Sequence, residues 1–364
     1  MCYLESLNSR TEIRCHRLNA IAWIATATFA ASGLANDTFV HESAGNLMFA
    51  RNNQVEIAKE RLVGPPVRSL PNPVWGIPIH VEYELRNTTG RGVEARIGFP
   101  LAACSLGDYI QAKHLDFLSG SAATCVKDPK MSLSVDGRQT TGQWDFVFLR
   151  DGAALRDGAS DINLGKRISA LINLVKDPER KFYVEDIEFL NAAKSLCDEL
   201  GGTINGPDCT AFGRIAVHRT FLWTHAFAPG ATVHVVHDYQ VTASWNLHPD
   251  EVFHSDVFCV GNSTSRSAWN QYLENLKHEE AEQRFEGVYP REFFTEYVLR
   301  TGALWAGPIR DFDLLIRKSS PDQLVSTCFS GLVKTSPTEF RARRIDFSPS
   351  EDLRVLYLPR AKLP

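Results

Sequence analysis

The chain has 364 residues, enough for one large or two ordinary domains, and 44% apolar against 23% charged residues is the balance of a globular protein with a real core. Disorder, collagen and a multi-spanning membrane protein are excluded by that balance. A net charge of −4, from 39 basic and 43 acidic residues, gives no electrostatic case for a nucleic-acid partner or an anionic membrane surface.

Residues 1–19 carry Arg10, Arg14 and Arg17 and precede an apolar run from Ala20 to Ala31 that is too short to span a bilayer. The run ends in Ser32-Gly-Leu-Ala35, with small residues three before and one before a cut after Ala35. This pattern predicts a signal peptide over residues 1–35 and a periplasmic or secreted protein with no transmembrane span after cleavage. Cleavage removes three basic and two acidic residues, moving the charge from −4 to −5, and takes Cys2 and Cys15 with it. Cys104, Cys125, Cys197, Cys209, Cys259 and Cys328 remain. An even number in an exported chain is the signature of disulfides. Sequence alone does not choose among the connectivities; ordering by proximity pairs Cys104 with Cys125, Cys197 with Cys209 and Cys259 with Cys328. A zinc site is the rival reading, but there is no Cys-x-x-Cys pair. No lipobox cysteine stands at the cut, which argues against a lipoprotein.

From Asn36 to Arg150 the periodicity is that of strands. Ile79 to Leu85 and Val93 to Phe99 each alternate apolar and polar residues, and the turn-forming residues 87–92 between them predict a hairpin. Asn53 to Lys59, Met131 to Gly137 and Trp144 to Leu149 read as further strands. The prolines at 65, 66, 71, 73 and 78 mark an extended connection or a strand edge. The period then changes: Leu164 to Asp177 and Val184 to Leu200 place apolar residues at helical spacing, and Gly201-Gly202 ends the second helix. Strands resume at Ile215 to His225 and Thr232 to Thr242, predicting another hairpin about Pro229-Gly230. Ser265 to Arg284 reads as an amphipathic helix, and Phe312 to Arg317, Gln323 to Cys328, Glu339 to Arg343 and Leu353 to Leu358 return to strands. The expected fold is mainly β with helical insertions, an α+β arrangement of antiparallel, sandwich-like lobes. Its parts would be an N-terminal β-rich lobe over 36–150, a helical insertion over 151–213 and a C-terminal β-rich lobe over 214–364 with a helix embedded near 265–284.

Several segments resemble a bacterial exported family known as domain of unknown function 4424. They are Asn36-Asp37-Thr38 with Ala44-Gly-Asn-Leu47, Arg86-Asn-Thr88, Phe99-Pro-Leu101, Tyr297 through Trp305 to Phe312, Leu324 to Cys328, Ser336 to Phe340 and Asp346 to Pro349. The chain departs from the family pattern at Asn46, Leu304 and Val241. The resemblance implies export and a β-rich fold, and it implies no activity, cofactor or catalytic residue.

The residues offer few chemical constellations. His218, His225, His234 and His237 invite a metal reading, yet His234 and His237 are three apart on a strand and must face opposite sides of the sheet. The loop 248–256 holds two histidines and three carboxylates but lacks the spacing of a calcium loop. Asp311 and Asp313 could serve a glycosidase only if their separation in space allowed it. Trp75, Trp144, Trp223, Trp245 and Trp305 could stack on sugars, though tryptophans in sandwiches are usually core. No esterase elbow, zinc-protease, dinucleotide or P-loop motif occurs. The reading is therefore a binding or envelope-associated module without cofactor or metal, its partner an envelope protein or glycan. The alternative is a secreted hydrolase with an unrecognised site around His234, His237 or the 248–256 loop, which a histidine meeting a carboxylate or nucleophile in a pocket would favour.

Overall fold

The computed structural model describes residues 34–35, 37–43, 46–67, 77–101, 103–114, 130–151, 153–154, 159–176, 187–205, 208–241, 244–246, 258–260, 270 and 292–358. Cys125, the 248–256 loop and, residue 270 apart, the helix expected near 265–284 lie outside them. Thirteen longer strands order the fold: β1 (Thr38–Ser43), β2 (Asn46–Ala50), β3 (Val55–Val67), β4 (Ile77–Asn87), β5 (Val93–Pro100), β6 (Met131–Val135), β7 (Gln143–Arg150), β8 (Ile215–Phe227), β9 (Thr232–Val241), β10 (Glu292–Val298), β11 (Ile309–Lys318), β12 (Glu339–Phe347) and β13 (Leu353–Leu358). Three helices, α1 (Leu106–His114), α2 (Ala159–Lys176) and α3 (Ile187–Glu199), accompany them. The protein is mostly β, and its sheets pack face to face in a sandwich-like arrangement.

An eight-stranded sheet runs in the order Val333–Ser336, β12, β11, β3, β4, β9, β6, Arg138–Thr140. A seven-stranded sheet contains β7, β2, β1, β5 and β8 in that order, and the further pairing of β7 with β8 closes these five into a small barrel. Val40, Val147 and Leu222 pack together as its filling. A Cβ on Gly98 would lie 2.7 Å from Val40 Cγ1 and 2.8 Å from Thr220 Cγ2, so only glycine lets β5 close the barrel there. A five-stranded sheet built on β10 and β13 and a short ladder between Ile204–Asn205 and Asp208–Cys209 complete the β structure of the described residues. Residues from both predicted lobes interleave, since β4 pairs with β9 and β3 with β11. One apolar core spans both, from Val55 through Val235 to Tyr357.

Neither expected hairpin forms. β4 and β5 belong to different sheets, and so do β8 and β9. Instead β4 pairs antiparallel with β9, and β5 with β8, so the two connections are arches that cross from one layer to the other. The reason lies in the alternation itself. Val81, Tyr83 and Leu85 on β4 and Ala95, Ile97 and Phe99 on β5 all bury one face, and folding the strands over one another lets these faces cover each other, where a flat hairpin would leave both needing a cover. Asn87 holds the arches together. Its Nδ2 donates to the carbonyls of Arg91 and Ala228, its Oδ1 accepts from the Thr89 amide and hydroxyl, and its own amide donates to the Ala231 carbonyl.

The helices cover the part of the seven-stranded sheet that extends beyond the sandwich, where Phe148, Ile215 and Val217 meet Ile168, Leu171, Phe189 and Leu196. Helix α3 stops as its sequence predicts. The Gly202 amide donates to the Cys197 carbonyl and the Gly201 amide to the Asp198 carbonyl, with Gly201 at φ +70°, which is a Schellman end. Cys197 and Cys209 are joined across a separation of 12 residues, and Cys259 and Cys328 across 69. Cys104 is also disulfide-bonded. Among the described residues no helix is long and apolar enough to cross a membrane.

Candidate functional site

Two polar constellations stand out, one sealed in the core and one open at its edge. The first is set by strand phase. On β9, Val233, Val235, His237 and Tyr239 face inward while His234 and Asp238 face outward. His234 and His237 thus occupy opposite sides of the sheet, as their spacing requires. On β3 a bulge between Ile57 and Lys59 shifts the phase and turns Glu60 into the core, where it is fully buried. Asp37, just before β1, is fully buried as well.

These groups meet between the sheets. His237 Nε2 lies 2.9 Å from Asp37 Oδ2, and since a carboxylate oxygen accepts, the imidazole donates. Phe99 stacks on the imidazole at 4.5 Å, and Trp305 Nε1 donates to the Asp37 carbonyl at 2.7 Å. Beside this pair runs a directed chain. The Asp37 amide donates to Tyr83 Oη (3.3 Å), Tyr83 to Tyr297 Oη (2.7 Å), and Tyr297 to Glu60 Oε1 (3.1 Å). Burial pushes both phenols well above the usual tyrosine range, reinforced for Tyr83 by Glu60 and for Tyr297 by Tyr83 and Glu60. Both therefore stay protonated donors. Asp37, Phe99, Tyr297 and Trp305 all come from segments that carry the family resemblance.

The second constellation lies where β4, β6 and β9 reach one end of the large sheet. A cavity of about 390 Å³ opens there. Val63 and Pro78 line it together with His80, Lys130, Ser132, Asp238 and Arg317, and Ile79, Met131 and Tyr239, whose side chains turn to the core side of the sheet, close it from behind. His80 and Asp238 are cross-strand partners, and Glu82 lies on the same face as His80. His80 Nδ1 sits 2.7 Å from Asp238 Oδ1 and Nε2 sits 2.7 Å from Glu82 Oε1, so both ring nitrogens face carboxylates and the imidazolium satisfies both. Partial burial pulls this imidazole down, but the hydrogen bonds to Glu82 and Asp238 outweigh it and the net shift is upward. Tyr239 joins this end of the sheet to the core network, its ring meeting Phe99 edge-on at 5.0 Å.

The remaining sequence candidates are dispersed. His218 is buried with Nδ1 2.9 Å from the Leu101 carbonyl, and burial lowers its basicity. His225 packs edge-on against Phe227. Asp311 and Asp313 are taken up as bidentate pairs with Arg343 and Arg341. Trp223 and Trp305 are core, and Trp144 packs on Phe221 and under Arg219. No group of three or more metal-binding side chains occurs among the described residues. Sequence reasoning missed Asp37, Glu60, Tyr83 and the His80 cluster. The signal present was a polar residue on an apolar strand face, as His237 is among Val233, Val235 and Tyr239.

This two-layer β fold, with a barrel on one side and a sealed polar centre, defines a class. The model of a domain of unknown function, DUF4424, matches residues 35–356, and the chain belongs to that family. No curated protein matches it. Among solved structures the chain is similar to a candidate nutrient binding protein from Legionella pneumophila, at 13% identity over 90% of this chain and 72% of that one, with a TM-score of 0.45. It is also similar to an M1 zinc metallopeptidase from Deinococcus radiodurans, at 9% identity and a TM-score of 0.26. There the match covers 87% of this chain and 46% of the peptidase, so the chain spans less than half of that protein's length.

Proposed function

We propose that the chain is an exported, periplasmic binding module that holds a small ligand in the cavity bounded by β4, β6 and β9. The observation that carries this reading is the cavity itself: about 390 Å³, with Val63 and Pro78 beside a few polar groups fixed on strands. Export is supported by the leader pattern and by the cystine bridges. A cut after Ala35 leaves Asp37, with all its core contacts, in the mature chain. The hydrolase alternative has one observation in its favour, the contact of His237 with Asp37. Both residues are fully buried, and among the described residues no nucleophile contacts His237, so the pair serves the core.

The test is native mass spectrometry of the protein released from the envelope fraction without denaturant. The wild type is expected to begin at Asn36 and to carry a bound small molecule that Ser132→Trp, which fills the cavity, no longer retains at unchanged circular dichroism. A wild type that flies without adduct, or an adduct that survives Ser132→Trp, overturns the cavity as the binding site.

A further inference from the structure

We propose that Asp37 is the binding site for the amino terminus created by the cut after Ala35: the new α-ammonium turns in to the Asp37 carboxylate and completes the buried polar centre. The inference rests on the export reading above, with its cut between Ala35 and Asn36, and goes beyond it by giving the new terminus a partner. It starts from the hydrogen bonds of Asp37. The amide donates to Tyr83 Oη, the carbonyl accepts from Trp305 Nε1, and Oδ2 accepts from His237 Nε2. Asp37 is fully buried, and its Oδ1, out of reach of water, has no hydrogen-bond partner among the described residues. A carboxylate oxygen left in this state is costly. None of the groups that hold Asp37 is a lysine or an arginine, so what the position lacks is a cation with hydrogens to donate.

Processing supplies that cation at the adjoining residue. In the uncut chain Leu34 and Ala35 form a short strand parallel to β10, Leu34 against Tyr297 and Ala35 against Val298. The nitrogen of residue 36 is there a neutral amide bonded to Ala35. A peptidase that hydrolyses the Ala35–Asn36 bond adds the oxygen of water to the Ala35 carbonyl carbon, which departs as a carboxylate, and frees the nitrogen as an amine. The amine takes up a proton at neutral pH and so has three hydrogens to donate where the amide had one. Covalent geometry sets its reach: consecutive Cα atoms are about 3.8 Å apart, so the nitrogen lies no more than about 5 Å from the Asp37 Cα. Rotation about the bonds of residue 36 brings it to Oδ1, because Asp37 itself is held at its amide, its carbonyl and Oδ2. Removing one partner of a buried pair is strongly destabilising, so the mature fold depends on a free amine at residue 36.

The test uses the mature chain from the envelope fraction, its first residue read by mass spectrometry. The α-amine is acetylated with limiting acetic anhydride, once in the folded protein and once in urea without reductant. It is expected to react at least about ten-fold more slowly in the folded protein. A second chain keeps Ala35 ahead of Asn36, which moves the charge one residue away from Asp37. That addition should lower the thermal midpoint by on the order of 5 °C, and should leave the midpoint of Asp37→Asn nearly unchanged. Equal acetylation rates, or the same loss on adding Ala35 in both backgrounds, overturns the pairing. If Asp37→Asn does not fold, the acetylation rates decide. A native chain that begins elsewhere than Asn36 overturns the proposal together with the cut. One that begins at Asn36 with a fully reactive amine overturns the proposal and leaves export standing.

Discussion

Tyr297 stands at the turning point of the core's hydrogen-bond chain, accepting from Tyr83 and donating to Glu60. A carboxylate turned into an apolar interior needs donors, because a buried polar group left without one costs about 1–3 kcal/mol. Tyr297→Phe removes only the hydroxyl and keeps the ring's packing. It is expected to lower stability by about that amount in urea unfolding, and an unchanged midpoint would show that the chain does not hold Glu60. His80 yields a pH signature on the surface. Its basicity is raised on folding, so its favourable contribution is fully present below its unfolded value of about 6.5 and is lost as pH rises through the higher folded value. The thermal midpoint of the wild type should therefore fall between neutral and alkaline pH relative to His80→Ala. Parallel curves for the two proteins would show that the imidazole is not held as a cation.

At the scale of elements, the arches depend on Asn87, which bridges β4, the turn that follows it and the turn after β8. Asn87→Ala would strip donors from two carbonyls and an acceptor from the Thr89 amide. A loss of at least about 2 kcal/mol is expected, read from chemical denaturation; a loss within about 0.5 kcal/mol, typical of an ordinary surface substitution, would refute the clamp. Strand existence was legible in the sequence because alternation reports a half-buried face. Partner choice was not. Residues 87–92 and Pro229-Gly230 look like hairpin turns, and nothing local distinguishes a turn that folds a ribbon flat from one that carries it to a second layer. The core network was hidden for a related reason. Its members run from Asp37 to Tyr297, and the bulge that directs Glu60 inward arises from pairing with β4. The helix end at Gly201-Gly202, set by local backbone chemistry, was read correctly. On the outer face of the large sheet, Lys59–Glu84, Arg61–Glu82, Arg61–Asp313 and Arg341–Asp313 link neighbouring strands. Each exposed pair contributes little, yet a one-residue slip would set Lys59 and Arg61 opposite apolar strand positions and break these pairs, so the ladder reinforces register.

For the whole molecule, the cystine bridges add to a core that already spans both halves of the chain. Closing 69 residues between Cys259 and Cys328 restrains the unfolded chain by about 4 kcal/mol, against about 3 kcal/mol for the 12 between Cys197 and Cys209. Cys259→Ser with Cys328→Ser should lower the melting temperature by on the order of 5 °C and more than the Cys197–Cys209 double variant; the reverse order would mean that the shorter bridge holds the helices to the sheet by more than chain entropy. The arches carry a kinetic consequence. A hairpin can zip up while its chain is still being made, and β4 and β5 find first partners in β3 and β1, but each gains its second partner only from residues beyond Ile215. Folding governed by such distant pairings is slow, and the sandwich cannot close until β9 has emerged from the ribosome. A chain ending before Ile215 should stay open and protease-sensitive, while the full-length chain lingers in an extended form, the state in which a polypeptide can be threaded across a membrane.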